Sequence, residues 1–113
     1  MKESNARITS TTLGYEDHGI MTWFLDLDYG GSGQGAGGYV LNGYDKENNK
    51  KTPSIWCGKT IMAILDVLGV DKWEALPGTY IRVKYDYDKV HAIGHLLKDQ
   101  WLDFDIFFFE GSE

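Results

Sequence analysis

Residues 29–39 read Tyr-Gly-Gly-Ser-Gly-Gln-Gly-Ala-Gly-Gly-Tyr, and six of these eleven positions are glycine. Glycine surrenders more backbone freedom on folding than any other residue, so a run this dense is ordered only where something requires it. The requirements that glycine alone meets are positive φ and the close approach of a ligand, a partner chain or a neighbouring strand. Gly33, Gly35 and Gly38 match the spacing G-x-G-x-x-G. That fingerprint binds a dinucleotide where a strand delivers the chain into a helix whose amides hold the pyrophosphate. Here a short third strand at 38–41 is expected to follow instead, so the run reads as a connection between strands. Its amides can still cup an anion as a local nest.

The rest of the chain supplies strands and one helix around that connection. Residues 6–13 are rich in β-branched side chains and are separated by a glycine-bounded loop from a second such run at 20–28, which predicts a β-hairpin. In the second strand Met21, Trp23, Leu25 and Leu27 alternate with Thr22, Phe24, Asp26 and Asp28, so the first set is expected to face the core. Residues 42–51 read as a polar loop. Thr52 and Pro53 then open the principal helix, Thr52 as its cap and Pro53 at the first helical position, with Gly69 as the left-handed stop. Between them Cys57, Ile61, Ile64, Leu65 and Leu68 make an apolar stripe suited to packing on a sheet.

A short helical turn at 70–76 ends at Pro77-Gly78, and residues 80–85 with 90–97 predict a second hairpin. The tail, 101–113, carries Phe104, Ile106, Phe107, Phe108 and Phe109 among carboxylates. It is too aromatic to be left in water, so it adds a strand, docks on the domain or meets a partner. The expected architecture is a single α+β domain over residues 1–113. Five or six mainly antiparallel strands, built from hairpins, form a sheet with one principal α-helix packed on it.

Length and charge narrow the function. A chain of 113 residues with 42% hydrophobic content buries one modest core. A formal net charge of −6 disfavours direct nucleic-acid binding, which needs a Lys/Arg-rich face to displace counterions from phosphates. One cysteine, Cys57, excludes an intramolecular disulfide and a Cys-based zinc site and fits a cytosolic setting. A signal peptide and a membrane-spanning run are not expected from this pattern.

The candidate sites differ in specificity. Tyr29 and Tyr39 bracket the glycines and Trp56 lies near the helix start. Together with Gly31, Ser32, Gly33, Gln34 and Gly35 they predict a pocket in which a flat ring stacks on aromatic planes while amides hold its polar groups. Cys57-Gly58-Lys59-Thr60 shares the end of a phosphate-binding P-loop, but Pro53 stands where that motif needs glycine. Lys59 remains a candidate anion contact in the first helical turn. His91 and His95, four apart on a strand, stand roughly 13 Å from each other, too far to share one metal ion, and His18 reads as a loop residue. Asp26 and Asp28 share a strand face at roughly 7 Å, a separation known among hydrolytic carboxylate pairs, yet charged residues that discourage edge pairing explain them equally. With no nucleophile marked, the expectation is a protein that is not an enzyme and carries no metal or cofactor.

Three segments carry a family resemblance. Leu13-Gly14-Tyr15-Glu16-Asp17-His18-Gly19-Ile20, Leu27-Asp28-Tyr29-Gly30-Gly31-Ser32-Gly33-Gln34-Gly35, and Gly69-Val70-Asp71-Lys72-Trp73-Glu74 with Leu76-Pro77-Gly78 resemble a family of small uncharacterised proteins of tailed phages and prophages. This chain departs from that pattern at Ala36, where an aromatic residue is expected, and in its aromatic tail. The resemblance implies an accessory, anti-defence protein of the host cytosol that acts by stoichiometric binding, without catalysis and without a membrane. Two forms of that activity stand side by side. In one, the glycine-rich segment sequesters a small anionic, nucleotide-like ligand, with the tail as a candidate homo-oligomer contact. In the other, the acidic chain occupies a basic nucleic-acid-binding surface of a host defence complex, as anti-CRISPR proteins do.

Overall fold

The computed structural model describes residues 1–16, 19–30 and 32–110. Among the described residues eight strands and one long helix follow one another as β1 (Lys2–Glu16), β2 (Ile20–Tyr29), β3 (Ser32–Gly37), β4 (Gly43–Asp45), β5 (Lys50–Thr52), α1 (Ile55–Leu68), β6 (Tyr80–Tyr85), β7 (Val90–Gly94) and β8 (Trp101–Asp103). Six of them form one antiparallel sheet in the order β3-β2-β1-β6-β7-β8, and β4 pairs with β5 alone. The α+β architecture built from hairpins is therefore as the sequence predicts.

The sheet is curled. Register shifts between Ile8 and Ser10 and between Lys84 and Tyr85 bend it, as bulges do, and β3 comes up against β7 without joining it in a ladder. Trp23, Leu25, Leu27 and Tyr29 of β2 are buried on the concave side with Ile8, Ile81, Val83 and Ile93, while Asp26 and Asp28 are exposed on the convex side. Ile64 and Leu68 of α1, Leu41, Leu76, Leu102 and Phe104 complete the same cluster. The expected alternation of β2 holds at Trp23, Leu25 and Leu27, and the helical stripe holds most firmly at Ile64 and Leu68. Thr60, which the stripe omits, is fully buried too.

Three local expectations are corrected. First, the glycine run is itself a strand, and residues 38–41 are not. Gln34 and Ala36 sit opposite Leu27 and Leu25 on the concave side, so Gly33, Gly35 and Gly37 fall on the convex side opposite Asp28, Asp26 and Phe24. The Phe24 ring lies over Gly35 in the space a side chain would take, shielding the bare backbone. Gly37 and Gly38, at φ 129° and 86°, then turn the chain out of the ladder. The departing segment is held by Gly38 N–H and Leu41 N–H donating to the carbonyls of Trp23 and Met21, both at 2.8 Å.

Second, the polar loop at 42–51 contains the β4–β5 hairpin. Asp45 holds its turn by accepting from the backbone N–H of Glu47 and of Asn48. Third, Ser54, not Thr52, caps α1. Its hydroxyl accepts from Trp56 N–H at 3.2 Å, whereas Thr52 is taken into the ladder opposite Gly43. The stop is as expected: Gly69 at φ 74° donates to Leu65 O at 2.9 Å.

The tail both adds a strand and docks. After β8, Phe104 packs edge-on against Trp23 at 5.6 Å between ring centroids, and Phe108 stacks on Tyr39 at 4.1 Å and 5°. No helix among the described residues is long and apolar enough to cross a membrane.

Candidate functional site

The concave side of the curled sheet is filled along most of its length and opens at one end. There β2 closes with Tyr29, β1 begins with Lys2, and β6 ends with Tyr85 opposite Lys2 in the ladder. A cleft of about 450 Å³ at this mouth is lined by Met1, Lys2, Tyr29, Gln34, Tyr85, Asp86 and Tyr87. That volume lies within the range of small-molecule sites, and the mouth of a curled sheet is where such sites occur.

Tyr29 is the floor. Its ring is buried and meets Tyr85 at 4.6 Å between centroids, tilted by 49°. Its hydroxyl donates to Gln34 Oε1 at 2.7 Å, which fixes the amide and turns the two N–H donors of Gln34 away from that bond. Burial first, and then the neighbouring Tyr85, raise the Tyr29 pKa above its ordinary value of 10.0, so the phenol stays neutral. Tyr87 forms the lip, 97% exposed, with its ring free to cover a ligand.

The charges at the mouth are unequal in their commitments. Asp86 is fully engaged: one oxygen accepts from Asp88 N–H at 2.8 Å and Lys89 N–H at 3.0 Å, and the other lies 2.6 Å from His91 Nε2. These contacts, the His91 one foremost, hold its carboxyl down to about 2. Lys2 has no ion-pair partner among the described residues. The cleft therefore offers a flat aromatic floor, amide donors and the Lys2 ammonium, a set that suits a planar group carrying negative charge.

Of the residues singled out in the sequence, the fold brings Tyr29 and Gln34 together here. Ser32, Gly33 and Gly35 lie along β3, and Gly31 lies outside the described residues. Tyr39, Trp56 and Lys59 are elsewhere. Tyr39 stacks on Phe108, and Trp56 meets Phe107 edge-on at 5.6 Å with the Lys59 ammonium 4.6 Å over its ring. Lys2, Tyr85, Asp86 and Tyr87 were not legible as a site, because they come from the far ends of strands that only the curl brings together. The nearest signal was the Tyr85-Asp86-Tyr87 run in the second hairpin.

The other chemical candidates are also placed. His91 has both ring nitrogens on carboxylates, the second 3.0 Å from Asp105 Oδ2, and His95 Nδ1 instead accepts from Leu97 and Lys98 N–H at 3.0 Å. His18 lies outside the described residues. No three His, Cys, Asp or Glu side chains among the described residues are arranged so that they could hold a metal ion. Asp26 accepts from the Ser10 hydroxyl at 2.5 Å across the β1–β2 ladder. Cys57 is half-buried in the first turn of α1. No family model, no curated protein and no solved structure matches the chain.

Proposed function

We propose that the protein binds, without catalysis, a small anionic ligand with a flat ring, of the nucleotide class, in the cleft at the open mouth of its curled sheet. The observation that carries this reading is the convergence of Tyr29, Tyr85 and Tyr87 with the Gln34 amide and the unpaired Lys2 around one cavity. Stacking a base on a tyrosine is worth about 1–3 kcal/mol, and every base has a face to offer. The ammonium of Lys2 supports the anionic part of the ligand. A binding role also accords with the side chains described: His91, which contacts the cleft wall at Asp86, has both nitrogens committed to carboxylates, which leaves it no lone pair for a substrate. Taken with the resemblance to phage proteins, the cleft suits an accessory protein that sequesters a nucleotide signal.

Thermal melting with a panel of nucleotides and 3′,5′-cyclic nucleotides tests this. A ligand at a hundred times its Kd stabilises by about 2.7 kcal/mol, a shift of several degrees for a domain of this size. Lys2→Gln is expected to weaken the best binder about fivefold, the effect of one unit charge near water. No shift with any member of the panel would overturn the ligand reading in favour of an acidic surface that occupies a basic groove, for which co-purification with a nucleic-acid-binding host complex is the readout.

A further inference from the structure

His91 stands on β7 between two carboxylates from different elements. Asp86 opens the β6–β7 turn with its Oδ2 at 2.6 Å from Nε2, and Asp105 follows β8 with its Oδ2 at 3.0 Å from Nδ1. A neutral imidazole has one N–H and one lone pair, whereas the imidazolium has two N–H groups. Both contacts are hydrogen bonds only in the protonated ring. Once the proton leaves, one carboxylate faces a lone pair. Asp86 is at the same time a wall of the tyrosine cleft. The charged groups around this cluster include Lys89, 3.3 Å from Asp105, Asp103, which lies opposite Ala92 on one side of β7 with Lys84 opposite it on the other, and Met1 and Lys2, which line the cleft together with Asp86.

We propose that His91 is a charge switch for the cleft: protonated, it neutralises Asp86 and lets the mouth accept an anion, and neutral, it leaves the Asp86 charge uncompensated and weakens anion binding. The proposal rests on the ligand reading of the cleft given above. Its direction follows from charge alone. Asp86, held down to about 2, is ionised throughout the relevant range, so the net charge of the Asp86–His91 pair is set by His91. The hydrogen bonds to Asp105 and then Asp86 raise the His91 pKa above its ordinary 6.5, so the change falls on the alkaline side of that value. Titration does not dismantle the cluster. Asp86 keeps the N–H groups of Asp88 and Lys89, and Asp105 keeps Lys89. His91 does not itself line the cavity and acts through its contact with Asp86.

The test uses 3′,5′-cyclic AMP and 3′,5′-cyclic GMP, whose phosphodiester charge is constant across the range, with adenosine as the uncharged control. Affinities are measured calorimetrically at low ionic strength at a series of pH values from about 5.5, below the ordinary histidine value, to about 9. Cyclic-nucleotide affinity is expected to fall about fivefold across the series, the size of one unit charge near solvent, while adenosine affinity stays level. His91→Gln is expected to hold the weaker affinity throughout. Asp105→Asn removes the largest cause of the raised His91 value and is expected to move the midpoint to lower pH while retaining the change. Equal cyclic-nucleotide affinity across the series, or a pH dependence that survives His91→Gln, overturns the switch and leaves the cleft reading standing. Failure of both cyclic nucleotides and adenosine to bind at any of these pH values overturns the cleft reading and the switch with it.

Discussion

The two ends of β2 both lead to clusters of aromatic rings, yet one is a cavity and the other is filled. At Tyr29 the neighbouring rings are Tyr85 at 4.6 Å and Tyr87 in solvent, with open volume between them and Lys2. At Trp23, roughly 20 Å away along the strand, the chain returns. Phe104 packs on Trp23, Phe108 on Tyr39, and Phe107 on Trp56. Ring content does not distinguish these regions. What distinguishes them is whether a later segment comes back to fill the space. A phenol with an amide partner at an uncovered end is available to a ligand, and a phenyl stack beneath the tail is structure.

The largest expected effect tests the filled end. Phe104 is fully buried among Trp23, Tyr39 and Phe108, so Phe104→Ala removes a large side chain and leaves a cavity, at a cost of about 3–5 kcal/mol. Tyr87→Ala at the open end is expected to cost less than about 0.5 kcal/mol, as is usual for exposed positions, while weakening ligand binding. Urea denaturation of both variants reads the contrast. Similar losses from the two would erase the distinction between the ends.

A smaller effect separates two glycines of β3 that look alike in sequence. At Gly37 an added Cβ would press on the backbone of Trp23 and Phe24, including Phe24 Cα at 2.9 Å, and φ is 129°, a conformation that other residues rarely adopt. At Gly35 the obstacle is the end of the half-exposed Phe24 side chain, which can swing outward. Gly37→Ala is therefore expected to cost about 1–3 kcal/mol, and Gly35→Ala less, with much of the Gly35→Ala loss recovered in a Phe24→Ala background. Equal costs at the two positions, measured by urea denaturation, would show that the backbone of β3 is not the constraint.

These glycines also show how far the sequence could be read. The alternation in β2, the helix stop at Gly69 and the two long hairpins follow from local rules, because each depends on residues close together in the chain. The glycine run carried a period of two as well, Gly33, Gly35 and Gly37 against Ser32, Gln34 and Ala36. That period was hidden because strand recognition relies on β-branched and aromatic side chains, and here the side chain shielding the backbone, Phe24, belongs to the neighbouring strand. For the same reason Tyr29 and Gln34 of the cleft were legible and Lys2, Tyr85 and Tyr87 were not. Tyr29 and Gln34 are five residues apart, whereas the rest depend on the curl of the whole sheet.

The smallest expected effect joins the two ends, since Asp105 belongs to the docked tail and Asp86 to the open mouth. His91 has a raised pKa, so its contribution to stability is complete below the ordinary value of 6.5 and is lost as pH rises through the folded value. The carboxyls of Asp86 and Asp105 are lowered, so theirs is present above the ordinary 3.8 and is lost as pH falls through the folded values, about 2 for Asp86. The cluster is thus at full strength between about pH 4 and about pH 6.5, where all three charges coexist. Tyr29 and Tyr39 are raised above an ordinary 10.0, so measurements kept below about pH 9 exclude their titration. Within those limits, stability from urea denaturation is expected to decline gently on the alkaline side in the native chain and to lose that decline in His91→Gln. A decline of equal slope in both proteins would mean that the tail and the mouth are held by packing alone, and that the contrast between them owes nothing to the charge cluster that spans them.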